Sequence, residues 1–193
     1  MTGTRFTHAQ LSLPGLALIT LTIAGCGFQL RGAAPVSSAL QPLAVQCADQ
    51  VPLELCEAVT DQLTLGEVRL VEAPNADYLL RLNSFSQKRR ASAITVEAAA
   101  AEYDLRHSVR MDVITADQVP LIAEAEIHSS ETYRYDETNV LAKQREEQEI
   151  IQNLTQRLAQ QIIFRLVPLT AERIQVLRDQ ASHPAEKTDS GAQ

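Results

Sequence analysis

The sequence has no tryptophan and only 4% aromatic residues, so the stacking platforms that usually hold single-stranded nucleic acid are poorly supplied. It is also short of positive charge. Lys and Arg number 17 against 24 Asp and Glu, a formal net charge of −7, and such a chain does not coat nucleic acid or anionic membrane through its net charge. Any polyanion must be held by a local basic patch. Seven glycines and eight prolines are too few for a collagen-like chain, and no low-complexity run marks it as wholly disordered. Catalytic signatures are missing as well: there is no Gly-x-Ser-x-Gly, no His-Glu-x-x-His and no Gly-rich phosphate loop. His107 lies on an apolar strand face and reads as a satisfied core residue, His128 lies on an exposed face, and His183 sits in a polar tail. The expectation is a protein of one domain that is not an enzyme, with no cofactor and no metal.

No apolar run is long enough for a permanent membrane helix, which needs about 20 residues. Residues 11 to 23 form an uncharged, mostly apolar run of 13, interrupted by Pro14 and Gly15 and preceded by a segment with Arg5 and no acid. That is the layout of a secretory signal. Ile23-Ala24-Gly25-Cys26 resembles the bacterial lipobox, in which the chain is cut before a cysteine whose thiolate takes a diacylglycerol. Residues 1–25 are therefore read as a lipoprotein signal peptide and Cys26 as the lipidation site. Each buried CH₂ adds about 0.8 kcal/mol, so several acyl chains anchor firmly where one does not. Gly27 stands where an Asp would resemble an inner-membrane retention signal, which favours the outer membrane, lipid-anchored on its periplasmic side.

Export also decides the other two cysteines. In an oxidising compartment Cys47 and Cys56 are an even pair, readable as a disulfide or as two buried thiols. Metal binding is disfavoured, because no His or third Cys lies at ligand spacing.

Residues 26–42 read as an acylated tether and 43–168 as the folded domain. Leu43 to Cys47 is a short strand. Residues 52 to 64 read as a helix with Leu53, Leu55, Cys56, Val59 and Leu63 on or near one face, ended by Gly66, with a second extended segment beginning at Val68. From Tyr103 to Val113, apolar residues alternate with Asp104, Arg106, Ser108, Arg110 and Asp112, the pattern of a half-buried antiparallel strand. Tyr78–Leu82 and Leu121–Ile127 give flanking strands, while residues 91 to 101 are ambiguous. A helical period then runs from about Asn139 to Leu166. Residues 169–193 form a tail, partly helical and then disordered. The predicted class is α+β, a mainly antiparallel four-stranded sheet with two helices packed on one face in the order strand, helix, strands, helix.

Three stretches, Cys26-Gly27-Phe28-Gln29-Leu30-Arg31, Ala101-Glu102-Tyr103 opening the long strand, and Leu141-Ala142-Lys143 opening a Glu- and Gln-rich final helix, occur in an order and spacing that resembles the LptE family of lipopolysaccharide-assembly lipoproteins. The resemblance covers roughly residues 26 to 168. It implies a non-enzymatic subunit of the lipopolysaccharide translocon that associates with the outer-membrane β-barrel LptD, aids its assembly and binds lipopolysaccharide on its way to the cell surface. It also gives Lys143 a lipopolysaccharide contact, the other reading being a solvated lysine on an exposed helix face. The family's second basic residue aligns with Val96, a departure. Lys88, Arg89 and Arg90 close the preceding strand and offer a substitute for lipid A phosphates, because Arg presents a fork that binds phosphate bidentately. Their alternative role is to guard an edge strand with charge. Arg106, Arg110, Asp104 and Asp112 share a strand face and are expected to form a cross-strand or partner-facing polar network. An auxiliary lipoprotein of a lipid-trafficking ABC transport system stays open as the alternative function.

Overall fold

The computed structural model describes residues 36–94 and 100–183. Cys26, Val96 and the last ten residues lie outside that range, so the signal peptide, the lipidation site and the polar end are not addressed by it. Four strands form one sheet in the order β1 (Leu43–Cys47), β2 (Tyr78–Ile94), β3 (Ala100–Thr115), β4 (Pro120–Arg134). β1 pairs parallel to β2, and the other two pairs are antiparallel. Helix α1 (Leu53–Leu65) makes the crossover from β1 to β2, and α2 (Val140–Leu166) follows β4. The class is the expected α+β, and the helical part of the tail is a third helix, α3 (Ala171–Ser182).

The periodicities explain the packing. Leu55, Ala58, Val59 and Leu63 bury one stripe of α1; Ile150, Leu154, Leu158, Ile162 and Leu166 bury one stripe of α2. The α1 stripe and Leu158, Ile162 and Leu166 meet Leu80, Leu82, Val109, Met111 and Val113 from one sheet face, whereas Ile150 and Leu154 pack with Leu105 and Tyr133. Leu53, read on the α1 face, is exposed at the helix start. Stretched over 27 residues, α2 is about 40 Å long, enough to cross the sheet from end to end. Its first turns, up to Glu149, are mostly exposed.

Several boundaries move. The segment read as tether is part of the core from Val36 onward, with Leu40 wholly buried. The domain also continues past residue 168. Leu169 and Ile174 join the core, and the Thr170 hydroxyl caps α3 by accepting from the Arg173 N–H. Gly66 ends α1, yet the left-handed residue there is Glu67, with φ 58°. Near Val68 only Leu70 bridges to Leu43, and the next strand starts at Tyr78. β2 and β4 run well past Leu82 and Ile127, because antiparallel pairing with β3 supports residues that carry no apolar alternation.

Two features fix the face that α1 leaves uncovered. β1 stops at Cys47, opposite Leu82, so among the described residues the outer edge of β2 from Ser84 to Ile94 has no strand beside it. A disulfide joins Cys47 to Cys56, nine positions apart, and ties the end of β1 to the first turn of α1. Closing so short a loop contributes about 2–3 kcal/mol by restricting the unfolded chain. Replacing both cysteines with serine is therefore expected to lower the urea unfolding free energy by roughly that amount. An unchanged midpoint would show that the bridge does not constrain the fold.

Candidate functional site

Successive side chains of a strand point to opposite sheet faces, so the pairing register decides which charged residues meet. Ser86 lies opposite Ser108, Lys88 opposite Arg106 and Arg90 opposite Asp104, all on the face away from the helices. Ser84 faces Arg110, which in turn faces Glu126 on β4. Together they line two adjoining hollows of about 280 and 160 Å³. Lys88, Arg90, Arg106 and Arg110 are exposed, and among the described residues none is in an ion pair. The face thus holds four unpaired cations against the carboxylates of Asp104 and Glu126.

Of the expected cross-strand network of Arg106, Arg110, Asp104 and Asp112, only the Asp112 part forms among the described residues. The pairing shifts register between Leu82 and Ser84 and between Met111 and Val113, and these irregularities separate Asp112 from the row. Asp112 instead accepts from the Asn83 amide and from the Glu124 N–H, and lies 3.5 Å from the Arg81 guanidinium. Arg106 and Arg110 therefore join Lys88 and Arg90. The sequence carried the clue in the matching parity of these positions, but only the register brings them opposite one another.

Arg89 is separated from its neighbours by the same alternation. Its guanidinium lies 3.7 Å from the centroid of the Tyr103 ring, and its Nε is 3.7 Å from Glu147 Oε2 on α2. Tyr133 donates to the same carboxylate oxygen at 2.6 Å. Burial, aided by that bond to an anion, holds the Tyr133 phenol far above its ordinary pKa. Tyr135 closes the cluster edge to face with Tyr103, their ring centroids 5.4 Å apart. Arg89 is thus a clamp between the far end of the sheet and the first half of α2.

Lys143 is apart from both groups. It donates to Glu146 at 2.6 Å and lines a third hollow beside β4 with Glu131, Arg134 and Glu149. The four basic residues expected to act together thus lie in three places: Lys88 and Arg90 on the open face, Arg89 in the clamp, Lys143 beside β4. Lys88 to Arg90 do lie on an unpaired edge, where charge also discourages edge-to-edge pairing.

His107 is only 1% exposed, as expected of a core position, but it is not satisfied: neither Nδ1 nor Nε2 has a hydrogen-bond partner among the described residues. Burial lowers its pKa, so the ring is held neutral. No group of three or more His, Cys, Asp or Glu among the described residues is placed to hold a metal ion.

Comparison with known proteins gives a consistent picture. A family profile described as "LptE: Lipopolysaccharide-assembly" matches residues 40–166. The chain is similar to the LPS-assembly lipoprotein LptE of Pectobacterium atrosepticum, with 29% identity over 82% of this chain and 85% of that protein. It is 30% identical to the protein of the same name from Yersinia enterocolitica, over 82% and 76%. Among solved structures, rare lipoprotein B of Shewanella oneidensis superposes with a TM-score of 0.56 at 23% identity, covering 73% of this chain and 98% of that one. A lipoprotein B of Nitrosomonas europaea gives 0.59 at 17% identity, covering 74% and 91%. These two show a shared fold.

The division of the basic residues has a direct test. Arg89→Ala removes a stacked and ion-paired group and is expected to lower stability by roughly 1 kcal/mol. Lys88→Ala and Arg90→Ala, which remove unpaired exposed charges, should stay within about 0.5 kcal/mol. Urea unfolding of the three variants reads this out, and equal losses would contradict the assignment of Arg89 to the clamp.

Proposed function

The chain belongs to the LptE family of lipopolysaccharide-assembly lipoproteins, and on that premise we propose that it binds lipopolysaccharide through the open face of its sheet while associated with the outer-membrane β-barrel LptD. The observation that carries this reading is the row Lys88, Arg90, Arg106 and Arg110, unpaired cations in a protein with a net charge of −7. Lipid A presents phosphates, and Arg forks bind them bidentately, so such a row is where the ligand would dock. Lys143, beside β4, is a second contact on this reading. Arg89 contributes by holding the sheet and α2 together beneath the row.

The protein is an outer-membrane lipoprotein. Acyl chains on Cys26 would hold it at the periplasmic face, and its body would assist assembly of the barrel. The role requires binding and positioning, and it assigns no catalytic step to any residue.

Lys88→Gln combined with Arg90→Gln removes two charge-assisted contacts worth roughly 1–2 kcal/mol each, so lipopolysaccharide should bind on the order of 30-fold more weakly or worse. The wild-type affinity should also fall with added salt, while the double variant depends less on it. Titration of the acylated protein in detergent measures both, and an unchanged affinity would overturn the assignment of the open face.

The partner is tested separately. Tagged protein purified from detergent-solubilised envelopes of the native host should bring down one large β-barrel of the LptD type in stoichiometric amount. The double variant should bring it down equally well. Recovery of the wild type without a barrel would count against the proposed association.

A further inference from the structure

The early end of β1 leaves a second feature, on the opposite side of the sheet from the cations. α1 begins only at Leu53, so over the first half of α2 no second helix covers β2, and a groove of about 590 Å³ remains there. Its floor is Phe85, His107 and Ile151. The imidazole and the Phe85 ring meet edge to face, with centroids 5.2 Å apart. Three residues of its rim, Gln148, Gln152 and Gln156, are spaced by four, so α2 presents one carboxamide per turn along the same wall. Gln87 faces them from β2, and Glu54 closes the end at the head of α1.

This lining differs in kind from the open face. It carries a single charged residue, Glu54, so a phosphate would find no cation in it. An acyl chain would fit no better, because it would strip water from the carboxamides and leave them unpaired. Carboxamides both donate and accept, as hydroxyl groups do. The buried His107 adds a donor and an acceptor that nothing in the described fold uses, and a buried polar group left unpaired costs roughly 1–3 kcal/mol. We infer that the groove is a binding site for an uncharged, hydroxyl-rich saccharide, with the Gln148–Gln152–Gln156 comb as its hydrogen-bonding wall and His107 in its floor. The ligand is then the sugar core of lipopolysaccharide, an identification that rests on the lipopolysaccharide reading above.

The two sites can serve one molecule. Gln87 and Lys88 are consecutive residues on opposite faces of β2, and the edge between the faces is unpaired from Ser84 onward. An amphiphile with phosphates at one end of its head group and neutral sugars at the other would straddle that edge.

The test uses the full-length acylated protein in detergent and two probes: intact lipopolysaccharide of the native host, and its core oligosaccharide, freed of lipid A by mild acid, dephosphorylated and reduced at its sugar-acid carboxyls so that it is uncharged. The oligosaccharide is expected to bind and to shift the side-chain amide resonances of Gln87, Gln148 and Gln152 together with the His107 ring signals. Gln148→Leu with Gln152→Leu, both exposed helix positions, should leave the unfolding midpoint unchanged and weaken oligosaccharide binding at least tenfold. Lys88→Gln with Arg90→Gln should weaken only intact lipopolysaccharide. If intact lipopolysaccharide binds while the oligosaccharide does not, or binds the double leucine variant undiminished, the groove assignment falls and the open face stands. Failure of intact lipopolysaccharide to bind at all would overturn both.

Discussion

Alternation along β2 governs this structure more than any single contact. Because consecutive residues of a strand face opposite ways, Gln87, Lys88, Arg89 and Arg90 are dealt alternately to the helix side and the open side of one sheet. On the helix side Arg89 finds Tyr103 and Glu147 and becomes part of the architecture. On the open side its neighbours form no ion pair among the described residues, although Asp104 faces Arg90, and they are left for a ligand. A shift of one residue in pairing would exchange these roles and place two cations against Tyr103, where only one carboxylate, Glu147, is at hand. The register irregularities at Leu82/Ser84 and Met111/Val113 complete the sorting by directing Asp112 to Arg81, Asn83 and the Glu124 backbone.

The unequal lengths of the elements do the rest. β1 has five residues and β2 has 17, so one part of the sheet carries two helices and the other only the first half of α2. In the thick part a single large apolar cluster joins both helices to β2 and β3, and the disulfide fixes where α1 can begin. In the thin part the hydrophobic contribution is small, four buried residues around Leu105 and Leu154, and polar interactions carry more of the packing. The Arg89–Glu147 ion pair and the Tyr133–Glu147 hydrogen bond are the ties that keep α2 seated there. A thin end of this kind leaves strand edge, groove and cations accessible together.

Much of this was legible in the sequence where one periodicity was strong. The strand at Leu43–Cys47, the two long helices and the alternating face of β3 follow from spacing alone. What escaped was set by pairing. Beyond Leu82 and Ile127 the strands are held by β3, and residues such as Gln87 and Ser130 have no apolar rhythm to announce them. The helix in the tail was legible, but its docking was not, because only Ile174 of its residues is buried, too little for a stripe to show that it belongs to the domain. The basic cluster Lys88-Arg89-Arg90 was visible as a run, but a run is contiguous in sequence and divided in a strand. Arg106 and Arg110 looked balanced by acids until the bulges moved one of those acids away. For His107 the apolar face was plain, whereas the lack of any partner for its nitrogens depends on what Phe85 and α2 bring around it.

The open face bears a cost that points to its use. Lys88 and Arg106 lie directly opposite one another across β2 and β3, and like charges so placed destabilise a sheet by roughly 0.2–1 kcal/mol. The protein has acids enough to neutralise them, since Asp and Glu outnumber Lys and Arg, and Arg81, Arg134, Lys143, Arg157 and Arg178 each sit beside a carboxylate. Arg69, Arg145, Arg165 and Arg173 are without an ion pair among the described residues too, but they are scattered, whereas the open face gathers four such cations. Arg90 faces Asp104 in the register yet makes no ion pair with it. Leaving these cations out of ion pairs keeps their hydrogen-bonding groups free, so that a ligand has no formed ion pair to break even though Asp104 and Glu126 line the same hollows. The acidic remainder of the surface limits the attraction for polyanions in general, so that the positive potential is confined to a strip a few strands wide. An anionic head group that bridges Lys88 and Arg106 would convert their repulsion into two attractions, and the face would be stabilised by occupation rather than strained by it.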